Sequence, residues 1–84
     1  MYELWILKNK KYTGLLQTES FKKVEFLGKL HRKPFLIIEY HNNEIFKVSS
    51  YTFIEYNCKL LYEVKDITEN FYSIEQYNKK GVLS

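Results

Sequence analysis

The chain has 84 residues, a formal net charge of +3 and a single cysteine, which makes it one small domain. Cys58 alone rules out an intramolecular disulfide and fits a reducing compartment. No stretch approaches eighteen consecutive apolar residues, so a membrane-spanning helix is excluded, and Met1 to Leu7, interrupted by Glu3, is too short for a secretory core. The expectation is a soluble, cytoplasmic protein that needs no cofactor.

A domain this small buries a modest share of its surface. Fifteen aromatic residues (six Phe, eight Tyr, one Trp) compensate. Each can bury roughly 150–250 Å². At about 25 cal/mol per Å², one ring offsets the ordering of a few backbone residues. Charge is unevenly spread. Residues 1–34 carry eight Lys and Arg against three Glu, a net of +5, whereas residues 35–84 carry five Lys against seven acidic groups, a net of −2. A basic half can steer a polyanion or an acidic protein face. Abundant Lys, Asn, Ile and Tyr, with little Ala, Gly or Pro, fit an AT-rich genome such as that of a low-GC bacterium or its phages.

In chain order, Tyr2 to Lys8 alternates as a strand, with Tyr2, Leu4 and Ile6 on one face and Glu3, Trp5 and Leu7 on the other. Both faces are then partly covered, or Trp5 is presented to a partner. Asn9-Lys10-Lys11 makes a turn without glycine, expected to be longer than the two-residue type. Tyr12 to Thr18 returns as a strand, and Gly14 inside it predicts a bulge or bend. Residues 18–30 admit two readings. Thr18 or Ser20 could cap a helix whose apolar stripe is Phe21, Val24, Leu27 and Leu30. Gly28 in its interior and the lack of an acid soon after Ser20 favour a turn over 18–22 and a strand over 23–30 instead.

A basic turn, Lys29 to Pro34, follows, and Pro34 must open the next strand rather than sit inside it. From Phe35 to Tyr56 the chain predicts a β-meander of three runs: Phe35 to Tyr40, Ile45 to Val48 after the break at 41–44, and Tyr51 to Tyr56 after Ser49-Ser50. Asn57-Cys58-Lys59 breaks the pattern, and Leu60 to Val64 is a further strand. Asp66 or Thr68 then starts an amphipathic helix over 68–80, with Ile67, Phe71, Ile74 and Tyr77 at helical spacing and Gly81 as its C-terminal cap. The predicted fold is mainly β, an antiparallel meander of five to six strands with a C-terminal helix.

The order of parts in residues 2–56 resembles the Sm-like and SH3-like small barrels. Tyr12-Thr13-Gly14-Leu15-Leu16 resembles the bent second strand of Sm-like proteins, and Ile45-Phe46-Lys47 resembles the aromatic-lysine pair with which their bacterial members contact uridine-rich RNA. The chain differs from that pattern in Val48, where those members use histidine, in a first turn without glycine and in a longer basic segment at 28–34. The resemblance implies a partly open barrel and an RNA-binding role for Lys47.

Chemistry-bearing clusters are sparse. His31 and His41 lie ten residues apart and Cys58 stands alone, so no metal-ligand spacing is present. No phosphate-binding glycine loop or nucleophile elbow is visible. Glu63-Val64-Lys65 has an acid-x-lysine form common by chance. A remote reading is a metal-free ribonuclease toxin working with His31, Arg32, Tyr40 and His41. The main expectation is a non-enzymatic interaction protein that docks on a larger host protein or nucleoprotein complex. Its sharpest version is a phage or mobile-element inhibitor of a defence or nucleic-acid enzyme, anti-CRISPR-like. The alternative is direct binding of single-stranded nucleic acid through basic turns and aromatic stacking. Candidate binding residues are Trp5, Lys10, Lys11, Tyr12, Lys29, His31, Arg32, Lys33 and Lys47. An unpaired edge strand also allows a homodimer.

Overall fold

The computed structural model describes residues 1–71. Five strands, β1 (Tyr2–Lys8), β2 (Lys11–Thr18), β3 (Phe35–His41), β4 (Glu44–Tyr56) and β5 (Lys59–Asp66), form one sheet in the order β2-β1-β3-β4-β5. Every neighbouring pair is antiparallel. Helix α1 (Phe21–Leu30) links β2 to β3 across β1, and a helical turn, α2, occupies residues 68–71. The chain is thus mainly β, as its alternating runs predict. The expected barrel is not closed, because β1 sits inside the sheet and β2 and β5 remain as edges. The meander proper is β3-β4-β5.

Both faces of the sheet carry core. Alternation along β3 sends Phe35 and Ile37 to one face and Leu36 and Ile38 to the other. On the first face α1 lays Val24 against Leu4, Phe35, Ile37 and Tyr51. Phe35 stacks on Tyr51 with ring centroids 4.4 Å apart. On the second face Phe71 covers Leu36, Ile38 and Val48, with Trp5, Tyr12, Tyr40, Ile45 and Ile67 packed around them. Both faces of β1 are therefore covered, as its sequence suggests.

The strand expected over 23–30 is a helix. Ser20 caps it: its hydroxyl accepts the backbone N–H of Lys23 at 3.2 Å. Gly28, which argued against a helix, is a packing requirement. A β-carbon built on it would lie 2.4 Å from Cε2 of Phe35. The absent side chain lets the helix settle onto that ring, a gain that outweighs the roughly 1 kcal/mol cost of Gly in a helix.

The first turn is shorter than expected. Asn9 and Lys10 alone join β1 to β2, both at positive φ (52° and 65°). Asn42-Asn43 (54°, 64°) and Asn57-Cys58 (50°, 61°) repeat the device. Two consecutive left-handed residues give the turn whose twist matches paired strands. Asn occupies the first position each time because its short amide tolerates that region. Ser49-Ser50, expected to separate two runs, lies inside one continuous β4. It pairs with Ile37 and Leu36 on one side and with Asp66 and Lys65 on the other.

Other sequence features behave as their chemistry demands. The register slips between Leu4 and Trp5, where Gly14 and Leu16 of β2 flank an unpaired Leu15. Pro34 precedes β3, and its carbonyl accepts the N–H of Leu7 at 3.2 Å. Asp66 accepts the N–H of Thr68 at 3.0 Å and so opens α2. The remainder of the helix expected over 68–80, with Ile74, Tyr77 and Gly81, lies outside the described residues.

Candidate functional site

The strand register converts the uneven charge of the sequence into a polar molecule. β1 and β3 are antiparallel, with Ile6 opposite Phe35 and Tyr2 opposite Glu39. The C-terminal end of β1 therefore lies beside the start of β3. That end of the sheet gathers Lys8, Lys10 and Lys11 from the first hairpin with Arg32 and Lys33 from the segment after α1. All five are exposed, and among the described residues none has a carboxylate within ion-pair distance. The opposite end holds Glu39, Glu44 and Asp66.

Lys29 belongs to the basic end but is already engaged. Its ammonium lies 3.6 Å from Glu25 and 5.7 Å from the ring centre of Tyr62. Glu25 in turn accepts the phenol of Tyr51 at 2.9 Å. Burial, and then the hydrogen bond and charge of Glu25, push the Tyr51 phenol far above its ordinary pKa. The Tyr62 phenol donates to the carbonyl of Lys29 at 3.0 Å, tying β5 to the end of α1. Burial raises the Tyr62 pKa while the charge of Arg32 lowers it, which sets Arg32 within electrostatic reach of that ring. His31 caps the C-terminus of α1 with its backbone N–H directed at Gly28.

Three of the candidate binding residues stand apart from this surface. Trp5 is not offered to a partner: its ring meets the edge of Phe71 at 5.7 Å and its indole N–H donates to Glu3. Glu3 also accepts from Tyr40 at 2.9 Å and Gln17 at 2.7 Å, so it knits β1, β2 and β3 together. Tyr12 packs in the second core cluster, and burial raises its pKa. Lys47 pairs across from Glu39 at the acidic end. It helps to hold the Asp66 carboxyl below the usual range, behind the larger effect of the hydrogen bonds from Thr68.

The histidines are also separated. His31 ends α1, whereas His41 ends β3, bonds Glu39 at 2.6 Å and stacks on Phe46 at 4.2 Å. The seven-residue β3 between them spans roughly 20 Å at about 3.3 Å per residue. The His31, Arg32, Tyr40 and His41 set is not assembled around one bond. Among the described residues no three His, Cys, Asp or Glu side chains are grouped to hold a metal. No helix among them is long and apolar enough to cross a membrane.

The basic end adjoins an exposed apolar pair on α1 that is not among the candidate binding residues above. Phe26 and Leu30, one helical turn apart, are each 61% exposed on the outer face of α1. Lys22, one turn before Phe26, and Lys23 and Lys29 flank them. The helical alternative for 18–30 puts Leu30 in the buried stripe, but in α1 the buried positions are Val24 and Gly28 and Leu30 turns outward. Spacing of 22, 26 and 30 carries the signal, which is visible only once the segment is read as a helix. No family model, curated protein or solved structure matches the chain.

Proposed function

We propose that the chain is a binding module that docks on a larger protein through the outer face of α1 and the adjoining basic end. The observation that carries this reading is the pair Phe26 and Leu30, exposed amid lysines. An aromatic and an aliphatic anchor inside a charged rim have the composition of an interface centre. Neither side chain is needed by the core clusters beneath it. The rim is cationic, so the partner presents an acidic face with an apolar pocket. In its sharpest form the module is an inhibitor of a host defence or nucleic-acid enzyme, anti-CRISPR-like. A composition rich in Lys, Asn, Ile and Tyr, of the kind an AT-rich phage genome encodes, supports that form.

Direct binding of single-stranded nucleic acid is the second reading. It is favoured by the five cations Lys8, Lys10, Lys11, Arg32 and Lys33 at one end of the sheet, which form no ion pair among the described residues. Affinity capture from the native host, with nuclease treatment, separates the two. A protein partner that survives nuclease and is lost on F26D/L30D, but kept on K10A/K11A, supports docking. Salt-dependent oligonucleotide binding that F26D/L30D leaves intact and a K10A/K11A/R32A/K33A chain loses would replace it with the second.

A further inference from the structure

We infer that the β5 edge is a self-association surface, pairing antiparallel with β5 of a second copy about a two-fold axis at Leu61. β3 reaches along β4 only as far as the pair Phe35–Tyr51. Beyond it, among the described residues, 52–56 and 59–63 pair only with each other in the sheet and run on as a two-stranded arm, anchored to the body by Tyr62, which edges Phe35 and donates to the Lys29 carbonyl. A two-stranded ribbon is marginal in water and gains from a third strand. Along this arm the β4–β5 register is continuous, with no bulge and no proline to blunt the outer edge, whereas the other edge strand, β2, is bulged. Ile54, Tyr56, Leu60, Leu61 and Val64 are all exposed there.

The backbone settles which groups face outward. The pair that closes a two-residue turn, Tyr56 with Lys59, exchanges both hydrogen bonds. Alternation then commits Lys59, Leu61 and Glu63 to β4 and turns the N–H and C=O of Leu60 and Tyr62 to the outer edge, which no strand among the described residues covers. With the axis at Leu61, Leu60 of each copy meets Tyr62 of the other and four inter-copy hydrogen bonds form. Leu61 meets Leu61 at the non-hydrogen-bonded position, where opposed side chains are closest.

Charge selects this register. It sets Lys59 of each copy directly opposite Glu63 of the other, on the same face as Leu61. Moving the axis to Tyr62 would oppose Lys59 to Lys65, and moving it to Glu63 would oppose Glu63 to itself. Like charges directly opposite are destabilising. The chosen register also aligns the exposed pair Ile54–Leu61 with its symmetry mate, giving one apolar row across four strands. Among the described residues Lys59 has no ion pair, and Glu63 is held only by the exposed Lys65 at 3.4 Å.

The test is light scattering over a wide concentration range, with circular dichroism to confirm folding. The expected result is a concentration-dependent dimer. K59E or E63K alone should weaken it roughly tenfold, since each turns two attractions into two repulsions, and K59E/E63K together should restore it. A C58S/L61C chain should cross-link through position 61 on oxidation. A chain that stays monomeric throughout, a dimer indifferent to both single charge changes, or failure of the cross-link would overturn the proposal. So would a monomer that captures a partner's strand through this edge. The F26D/L30D experiment does not involve β5, so the docking reading and this one fail separately.

Discussion

Gly28 and Phe35 are packed closer than any side chain at position 28 would allow: a β-carbon on Gly28 would sit 2.4–2.7 Å from three atoms of the fully buried ring. The ring cannot move aside, because it is stacked on Tyr51 and edged by Tyr62. Gly28→Ala is therefore expected to destabilise by on the order of 1–2 kcal/mol, overpacking outweighing the gain in helix propensity. In chemical denaturation, G28A/F35L should lose less than the sum of its single changes, because the smaller side chain makes room. Strict additivity would show that the contact does not govern the packing.

The three two-residue turns predict gains rather than losses. Lys10 and Cys58 hold left-handed conformations that cost a non-glycine residue about 1–2 kcal/mol. Lys10→Gly and Cys58→Gly each complete an Asn-Gly turn and should raise stability by roughly 0.5–1 kcal/mol. Thermal melts of the two single variants and the double provide the check. A lowered midpoint for either would contradict the turn geometry.

Tyr51 gives the chain an alkaline limit. Its phenol is held neutral in the folded state by burial and by Glu25, so its folded pKa lies far above the unfolded value of about 10. The stability this contributes is complete below pH ~10 and is lost as pH rises beyond it, because only the unfolded chain then releases the proton. Tyr12 and Tyr62 are shifted the same way and add to the slope. Tyr51→Phe should flatten the fall in denaturation midpoint above pH ~10, while costing about 1.5–3 kcal/mol at neutral pH through the lost bond to Glu25. An unchanged alkaline slope would remove Tyr51 from this role.

Phe71 closes the second face of the sheet, and Trp5 reports on it. Phe71→Ala should cost roughly 3–5 kcal/mol and shift the emission of the single Trp to the red, since the ring that shields its edge is gone. Trp5→Phe in the intact chain keeps the aromatic contact but leaves Glu3 with one donor fewer, and should be the milder change. Equal losses for the two variants would mean that Phe71 is not the cover.

Much of the fold follows from local chemistry. Pro34 has no N–H to give, so β3 begins at Phe35. Alternation makes β1 and β5 strands wherever they pack, and in β2 Gly14 marks the bulge that interrupts it. Charge counted along the chain already separates a basic half from an acidic one. What only tertiary structure decided is where these local choices meet. Residues 21–30 are compatible with either period, and the ring of Phe35, distant from the helix in hydrogen-bonding terms, chose the helix by needing a glycine beneath it. Ser49 and Ser50 continue a strand because Ile37 and Leu36 on one side and Asp66 and Lys65 on the other hold their backbone in two ladders at once. The same pairings fold the basic residues onto one end and carry Lys47 to the other, since register depends on partners remote in sequence.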